Sequence, residues 1–119
     1  MIKINIGCGG SPLKDYINTD MDSLDQIKKR YPNKTFDNDL IVKNYDIFNL
    51  PFENSSVDEI KTDSLIEHLS FIEEKKFFYE ITRVIKKDGK IEISTPDFEA
   101  AVKQWLNAED DWKDFYRDD

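Results

Sequence analysis

Four short clusters in this 119-residue chain carry residue types able to do chemistry: Gly7-Cys8-Gly9-Gly10, Asp20, Asp46-Ile47 and Thr62-Asp63. A glycine-rich turn offers bare backbone to an extended ligand, because no Cβ stands in the way. Asp20 is an acceptor-only carboxylate of the kind that holds both hydroxyls of a ribose. Asp46 can accept from a ring amino group while Ile47 packs on the ring; the competing assignment is a solvated turn aspartate. The nicotinamide fingerprint G-x-G-x-x-G would need glycine at position 12, where Pro12 stands. The pattern suits a nucleotide-like ligand and argues against a dinucleotide pyrophosphate.

These clusters can cooperate only if the fold brings them to one edge. Ile2, Ile4 and Ile6 alternate as a strand does and run into the glycine turn. Tyr16–Thr19 reads as a second strand ending at Asp20, Leu40–Val42 as a third leading to Asp46, and Val57–Thr62 as a fourth. Leu24, Ile27 and Tyr31 recur at helical spacing before Pro32, with Asp22 placed to cap them. Ser64 with Glu67 and Ser70 with Glu73 both fit the capping box, which predicts a short helix before a long one. Phe77, Phe78, Ile81, Val84 and Ile85 give the long helix its apolar face, and Lys86-Lys87-Asp88-Gly89 suits its end. Lys90–Thr95 is a fifth strand closed by Pro96, and Asp97 can cap a last helix bearing Phe98, Val102, Trp105 and Leu106. Strands alternating with helices predict an α/β fold with a mostly parallel sheet, whose ligands sit beyond the carboxyl ends of the strands. Each chemical cluster falls at such an end.

Composition narrows the class. The length predicts a single domain over 1–119, with 108–119 as an acidic, loosely ordered tail. Acidic residues outnumber basic ones by 25 to 17, so no basic footprint for nucleic acid is expected, and Lys28, Lys29 and Arg30 read as a solvated helix face. No apolar run approaches the ~20 residues needed to span a bilayer, and no leader pattern opens the chain, so a cytoplasmic protein is expected. One cysteine excludes an internal disulfide and a cysteine-only metal site.

Taken in order, the motifs resemble class I S-adenosylmethionine-dependent methyltransferases, particularly the branch called type 11. The family's first motif resembles Ile4-Asn5-Ile6-Gly7-Cys8-Gly9. Its acidic residue, Leu-Pro-Phe and Ser-Phe-Asp resemble Asp46, Leu50-Pro51-Phe52 and Ser56-Val57-Asp58. Its Glu-His-Leu resembles Glu67-His68-Leu69, and its arginine-to-glycine stretch resembles Arg83 through Gly89. The likeness runs from about Lys3 to Phe98. It implies a Rossmann-like sheet of about five strands, order 3-2-1-4-5, flanked by helices and lacking most or all of the usual C-terminal edge hairpin. It implies S-adenosylmethionine as cofactor, with Gly7, Cys8 and Gly9 beneath it, Asp20 and Met21 at the ribose, Asp46 and Ile47 at the adenine, and Thr62 with Asp63 flanking the methionine. Asn5 departs from the family's acidic residue, Ser11 from a third glycine, and the short loop after Gly10 from its first helix. A subgroup with a glycine-cysteine-glycine turn followed by an Ile-Asn-x-Asp strand shares that abbreviation.

The methyl group already has a good leaving group, so alignment and water exclusion matter most, and no metal is required. Where the acceptor must lose a proton, Asp63, His68 and Asp97 are the candidate bases, with Asp63 and His68 preferred. The competing assignment for His68 is a structural helix residue. By family analogy the acceptor is a small molecule or sugar. A non-catalytic S-adenosylmethionine-binding or regulatory module is the alternative. An open fifth strand would need covering, which predicts a homodimer or a chain continuing beyond Asp119.

Overall fold

A computed structural model describes residues 1–107. The elements are β1 (Lys3–Ile6), β2 (Ile17–Thr19), α1 (Leu24–Arg30), β3 (Ile41–Lys43), β4 (Val57–Asp63), a 3₁₀ turn (Ile66–His68), α2 (Phe71–Val84), β5 (Ile85–Ser94) and α3 (Phe98–Leu106). All five strands pair in parallel, in the order β3-β2-β1-β4-β5 that the resemblance implied. The expected tail, 108–119, lies outside the described residues.

Register gives the two faces of the sheet opposite characters. Ile4 stands beside Ile60 and Ile60 beside Ile91, while Ile6 stands beside Thr62 and Thr62 beside Ile93. On this face Ile4, Ile6 and Ile60 form the core with Leu50 and with Phe77, Ile81 and Val84 of α2. Residues one position along point the other way. There Lys3, Glu59, Lys61 and Glu92 meet solvent or one another, while Asn5 is buried against Asn18 of β2. The Tyr16 hydroxyl donates to Glu59 at 2.8 Å, and the ammonium groups of Lys3 and Lys61 lie 4.6 and 5.5 Å from its ring centre. Lys61 also pairs with Glu92 at 3.6 Å. Parallel sheets are ordinarily covered by helices on both faces. In this chain residues 7–16, which join β1 to β2, contain no helix, and the second face is polar to match.

That helix-free crossover is held by a fully buried asparagine. Asn18 Nδ2 donates to the carbonyls of Leu13 at 3.0 Å, Ile41 at 2.9 Å and, more weakly, Tyr16 at 3.3 Å. Its Oδ1 accepts from Leu13 N at 2.8 Å and from Asn5 Nδ2 at 2.9 Å, and Asn5 also reaches the Ser11 carbonyl at 3.3 Å. One side chain therefore closes the loop on itself and ties β2 to both neighbours.

Several boundaries differ from the sequence expectation. The N-cap of α1 is Ser23, in a capping box with Gln26, whereas Asp22 pairs with Arg30 at 3.1 Å. Ser70 and Glu73 do form their box at the start of α2. Ser64 does not cap: it sits at φ +56°, donates to the Asp63 carboxylate at 3.3 Å, and the 3₁₀ turn after it has no side-chain cap. α2 stops at Val84 and passes straight into β5, so Gly89 does not follow a helix end. A Cβ at Gly89 would lie 2.8 Å from the Ile85 side chain, which is why glycine stands there. Lys86 is taken up by Asp58 at 2.9 Å rather than by the helix dipole. Asp58 also accepts from Ile2 N, and the two contacts hold its carboxyl below the usual range.

Asn18→Leu keeps the volume but strands the Leu13 amide and three carbonyls. Urea unfolding should show a loss of about 2–4 kcal/mol. A loss below ~0.5 kcal/mol, the size of an ordinary surface change, would mean the crossover is held by other contacts.

Candidate cofactor-binding groove

The carboxyl ends of β1, β2, β3 and β4 open into one groove of about 760 Å³. β1 contributes Gly7 and Gly9; β2 is followed by Asp20, Met21 and Asp22; α1 closes the side with Arg30 and Tyr31. The loop after β3 supplies Tyr45 to Phe48, and the segment after β4 supplies Leu65, His68, Leu69 and Glu73.

The glycine turn is built around two left-handed positions, Gly7 at φ +66° and Gly9 at φ +50°. A Cβ on Gly9 would meet nothing within 4 Å, so the bare backbone faces open space. At Gly10 the constraint is contact: a Cβ would lie 2.8 Å from the Tyr31 ring, which rests on the turn. The turn is tied to β2 by Cys8 N to the Thr19 carbonyl at 2.9 Å and by Gly7 N to Thr19 Oγ1 at 3.2 Å. Asp20 completes the tie. Its Oδ2 accepts from Gly9 N at 2.8 Å and its Oδ1 from Asp22 N at 2.9 Å. Arg30 lies 3.9 Å from Asp20 and 3.1 Å from Asp22. Cys8 is buried and absent from the groove wall. Burial and the nearby Asp20 carboxylate push its thiol up to about 11, so it stays protonated and unreactive.

The opposite wall depends on α2. Asp46 Oδ1 accepts from Phe48 N at 2.9 Å, turning the chain after β3. The rest of this loop is pinned by a buried glutamate and its arginine. Glu80 takes the Leu50 amide and pairs with Arg83 at 2.7 Å. The Arg83 fork then donates to the carbonyls of Phe52 at 2.9 Å and Leu50 at 3.0 Å, and to Asn54 at 2.9 Å. Those bonds hold the Glu80 carboxyl below its ordinary range, with Arg83 the largest cause.

Of the residues singled out in the sequence, the structure brings Gly7, Gly9, Asp20, Met21, Asp46, Ile47 and His68 to this groove. Thr62 and Asp63 line a separate depression of about 210 Å³ with Asn5, Ser11, Leu13 and Lys61. Thr62 Oγ1 is buried on the core face, level with Ile6 and Ile93, without a hydrogen-bond partner. The His68 side chain is 74% exposed, 3.7 Å from Glu67. Asp97 accepts from Ala100 N at 3.0 Å and so acts as the cap of α3. Sequence reasoning assigned Tyr31 to a helix stripe, Arg30 to a solvated face and Glu73 to a cap. Helical spacing could not reveal that the groove runs past the end of α1 and the start of α2.

An open parallel sheet of this order, with a glycine turn and an acidic residue after β2 facing one groove, defines a class I methyltransferase-type domain. The family model described as a methyltransferase domain matches residues 4–93. The chain belongs to this family, the class I S-adenosylmethionine-dependent methyltransferases. No curated protein sequence matches it significantly. Among solved structures it is similar to the PH0226 protein of Pyrococcus horikoshii, with 25% identity and a TM-score of 0.66 over 86% of this chain and 49% of that one. It is also similar to Haemonchus contortus phosphoethanolamine N-methyltransferase 1, solved with phosphoethanolamine and S-adenosylhomocysteine, with 20% identity and a TM-score of 0.58 over 78% of this chain and 22% of that one. The trans-methyltransferase CalH, solved with S-adenosylhomocysteine, gives 16% identity and a TM-score of 0.52 over 77% and 31%. This chain therefore spans less than half the length of each of these three.

The Glu80 clamp should set the acid limit of the fold. A carboxyl held low in the folded state contributes stability that is present above its unfolded value, roughly 4.3, and is lost as pH falls through the folded value. Stability measured from pH 6 to pH 3 should decline over that interval, and Glu80→Gln should flatten the decline while lowering stability at pH 6. An unchanged acid limb in Glu80→Gln would assign the limb to other carboxylates.

Proposed function

We propose that this single domain binds S-adenosylmethionine in the groove and transfers its methyl group to a small-molecule acceptor. The observation that carries the proposal is the pairing of Asp20 with Gly9 N beside a turn whose missing Cβ leaves open space. With one bond per oxygen used, the carboxylate keeps lone pairs for two ribose hydroxyls. Asp46 spends one oxygen on Phe48 N and keeps the other for the adenine amino group, with Ile47 beside it. Met21, 88% exposed next to Asp20, gives the adenosine an apolar edge. Gly7 and Gly9 supply backbone surface, with Cys8 as the small buried residue between them. The methionine half would pass over the turn toward the end of β4, where Thr62 and Asp63 stand. These features fit the cofactor.

The bound cofactor supplies a methyl group on a positively charged sulfur: the acceptor's lone pair forms the new bond to carbon as the carbon–sulfur pair returns to sulfur, leaving S-adenosylhomocysteine. The protein's share is alignment and exclusion of water. Leu65 and Leu69 make the β4 end of the groove apolar, and His68 stands there to take a proton from the acceptor. Asp63, on the other depression, is the second proposed base. A small molecule is favoured because the groove volume lies within the ~300–1,000 Å³ typical of such sites. No described helix is long and apolar enough to cross a membrane. A non-catalytic module of the same fold is the second reading, supported by the exposure of His68.

Calorimetry should show S-adenosylhomocysteine binding to the protein, weakened by about 1–3 kcal/mol in Asp20→Ala. Wild-type affinity in Asp20→Ala would remove Asp20 from the site. Gly9→Val, which puts a branched side chain into the groove at a left-handed position, should abolish binding with the fold retained. Transfer of radiolabelled methyl to any acceptor separates the enzyme from the non-catalytic module.

A further inference from the structure

Accepting the cofactor assignment above, the β4 end of the groove remains for the second substrate, and its charge is specific. The groove is lined by four carboxylates, Asp20, Asp22, Asp46 and Glu73, against one permanent cation, Arg30. Arg30 is already engaged by Asp22 at 3.1 Å and Asp20 at 3.9 Å. Asp46 is turned back onto its own loop through Phe48 N. Glu73, like Asp46, has one oxygen on a backbone amide, but it stands at the β4 end of the groove, away from the positions assigned to the adenosine. Its Oε1 accepts from Ser70 N at 3.0 Å as half of the capping box, which fixes the side chain at the start of α2. No salt bridge reaches it among the described residues. Lys76, one turn on, acts on it only at longer range, and the other ionisable group at this end is His68. The same capping box uses one of the first free amides of α2: Glu73 N donates to Ser70 Oγ at 3.2 Å. The Glu73 carboxylate at this helix end disfavours an anion there.

We propose that Glu73 anchors the acceptor through a protonated amine or quaternary ammonium group, with Oε2 receiving the cation at the mouth of the groove beside His68 and Leu69. The domain would then select cationic small molecules over acids and phosphates of the same shape. The chain's overall charge of −8 favours encounter with the same class.

Glutamine is an accepted capping-box partner, so Glu73→Gln removes the charge and keeps the helix cap. Three aromatic probes matched in size separate charge from shape: tyramine as cation, 4-ethylphenol as neutral and 3-(4-hydroxyphenyl)propionate as anion. They would be titrated into wild type and Glu73→Gln, each saturated with S-adenosylhomocysteine, and followed by NMR line shape. Tyramine should bind wild type about two- to fivefold tighter than the anion, the range of a solvent-facing ion pair. Glu73→Gln should erase that preference while binding S-adenosylhomocysteine as wild type does. Equal binding of the three probes to the saturated wild type overturns the proposal and leaves the cofactor assignment standing. So does a cation preference that persists in Glu73→Gln. Failure of wild type to bind S-adenosylhomocysteine at all overturns the cofactor assignment and this proposal with it.

Discussion

The glycine-turn side of the ligand edge depends on Asn18. Two adjacent parallel strands need a crossover of a dozen or more residues, usually with a helix inside it. Here residues 7–16 do the work with no helix. A loop that short leaves backbone amides and carbonyls facing inward, and each would be costly if unpaired. Asn18 pairs those of Leu13 and reaches across to Ile41 on β3, so one buried amide replaces the contacts a helix would have made. The next residues on β2 are Thr19 and Asp20, which tie the glycine turn. The turn therefore inherits its position from Asn18.

The second fixed point is the Glu80–Arg83 pair, and it explains why two distant motifs occur together. Leu50-Pro51-Phe52 and the stretch from Arg83 are more than thirty residues apart, yet Arg83 bonds both Leu50 and Phe52 carbonyls. The amides of Ser55 and Ser56 return to the carbonyls of Arg83 and Val84 at 2.9 Å. A loop with no helix of its own is thereby welded to α2, which is itself packed on β1 and β4 through Phe77, Ile81 and Val84. Asp46, Ile47 and Phe48 owe their place on the groove wall to that weld.

What could be read from the sequence follows the physics of each element. The five strands and two longest helices were legible because their apolar residues recur at strand or helix spacing, and Pro32 and Pro96 mark where α1 and β5 have ended. Cap geometry was legible at Ser70, where a long helix follows, and failed at Ser64, where a three-residue turn has too little helix to cap. The end of α2 was misplaced because Lys86 and Gly89 have a helix-end composition, while their actual partners, Asp58 and the Ile85 side chain, are set by tertiary contact. In the groove, residues at strand ends were found by position. Tyr31, Arg30 and Glu73 were not, because each serves a helix first and meets the groove only through how that helix is placed.

Asn5 shows that a departure from family pattern can be structural rather than functional. The family resemblance leads one to expect an acid at this position, on the strand that runs into the glycine turn. Here the side chain donates from Nδ2 to Asn18 Oδ1 at 2.9 Å and to the Ser11 carbonyl at 3.3 Å. A carboxylate could donate to neither and would set its charge against two acceptors in a buried site. The helix-free crossover and the asparagine at position 5 therefore go together. Once the crossover is short, Asn18 must close it; once Asn18 closes it, its neighbour on β1 must be a donor. Asp20, two residues beyond Asn18, then ties the glycine turn through Gly9 N at the edge where the groove lies.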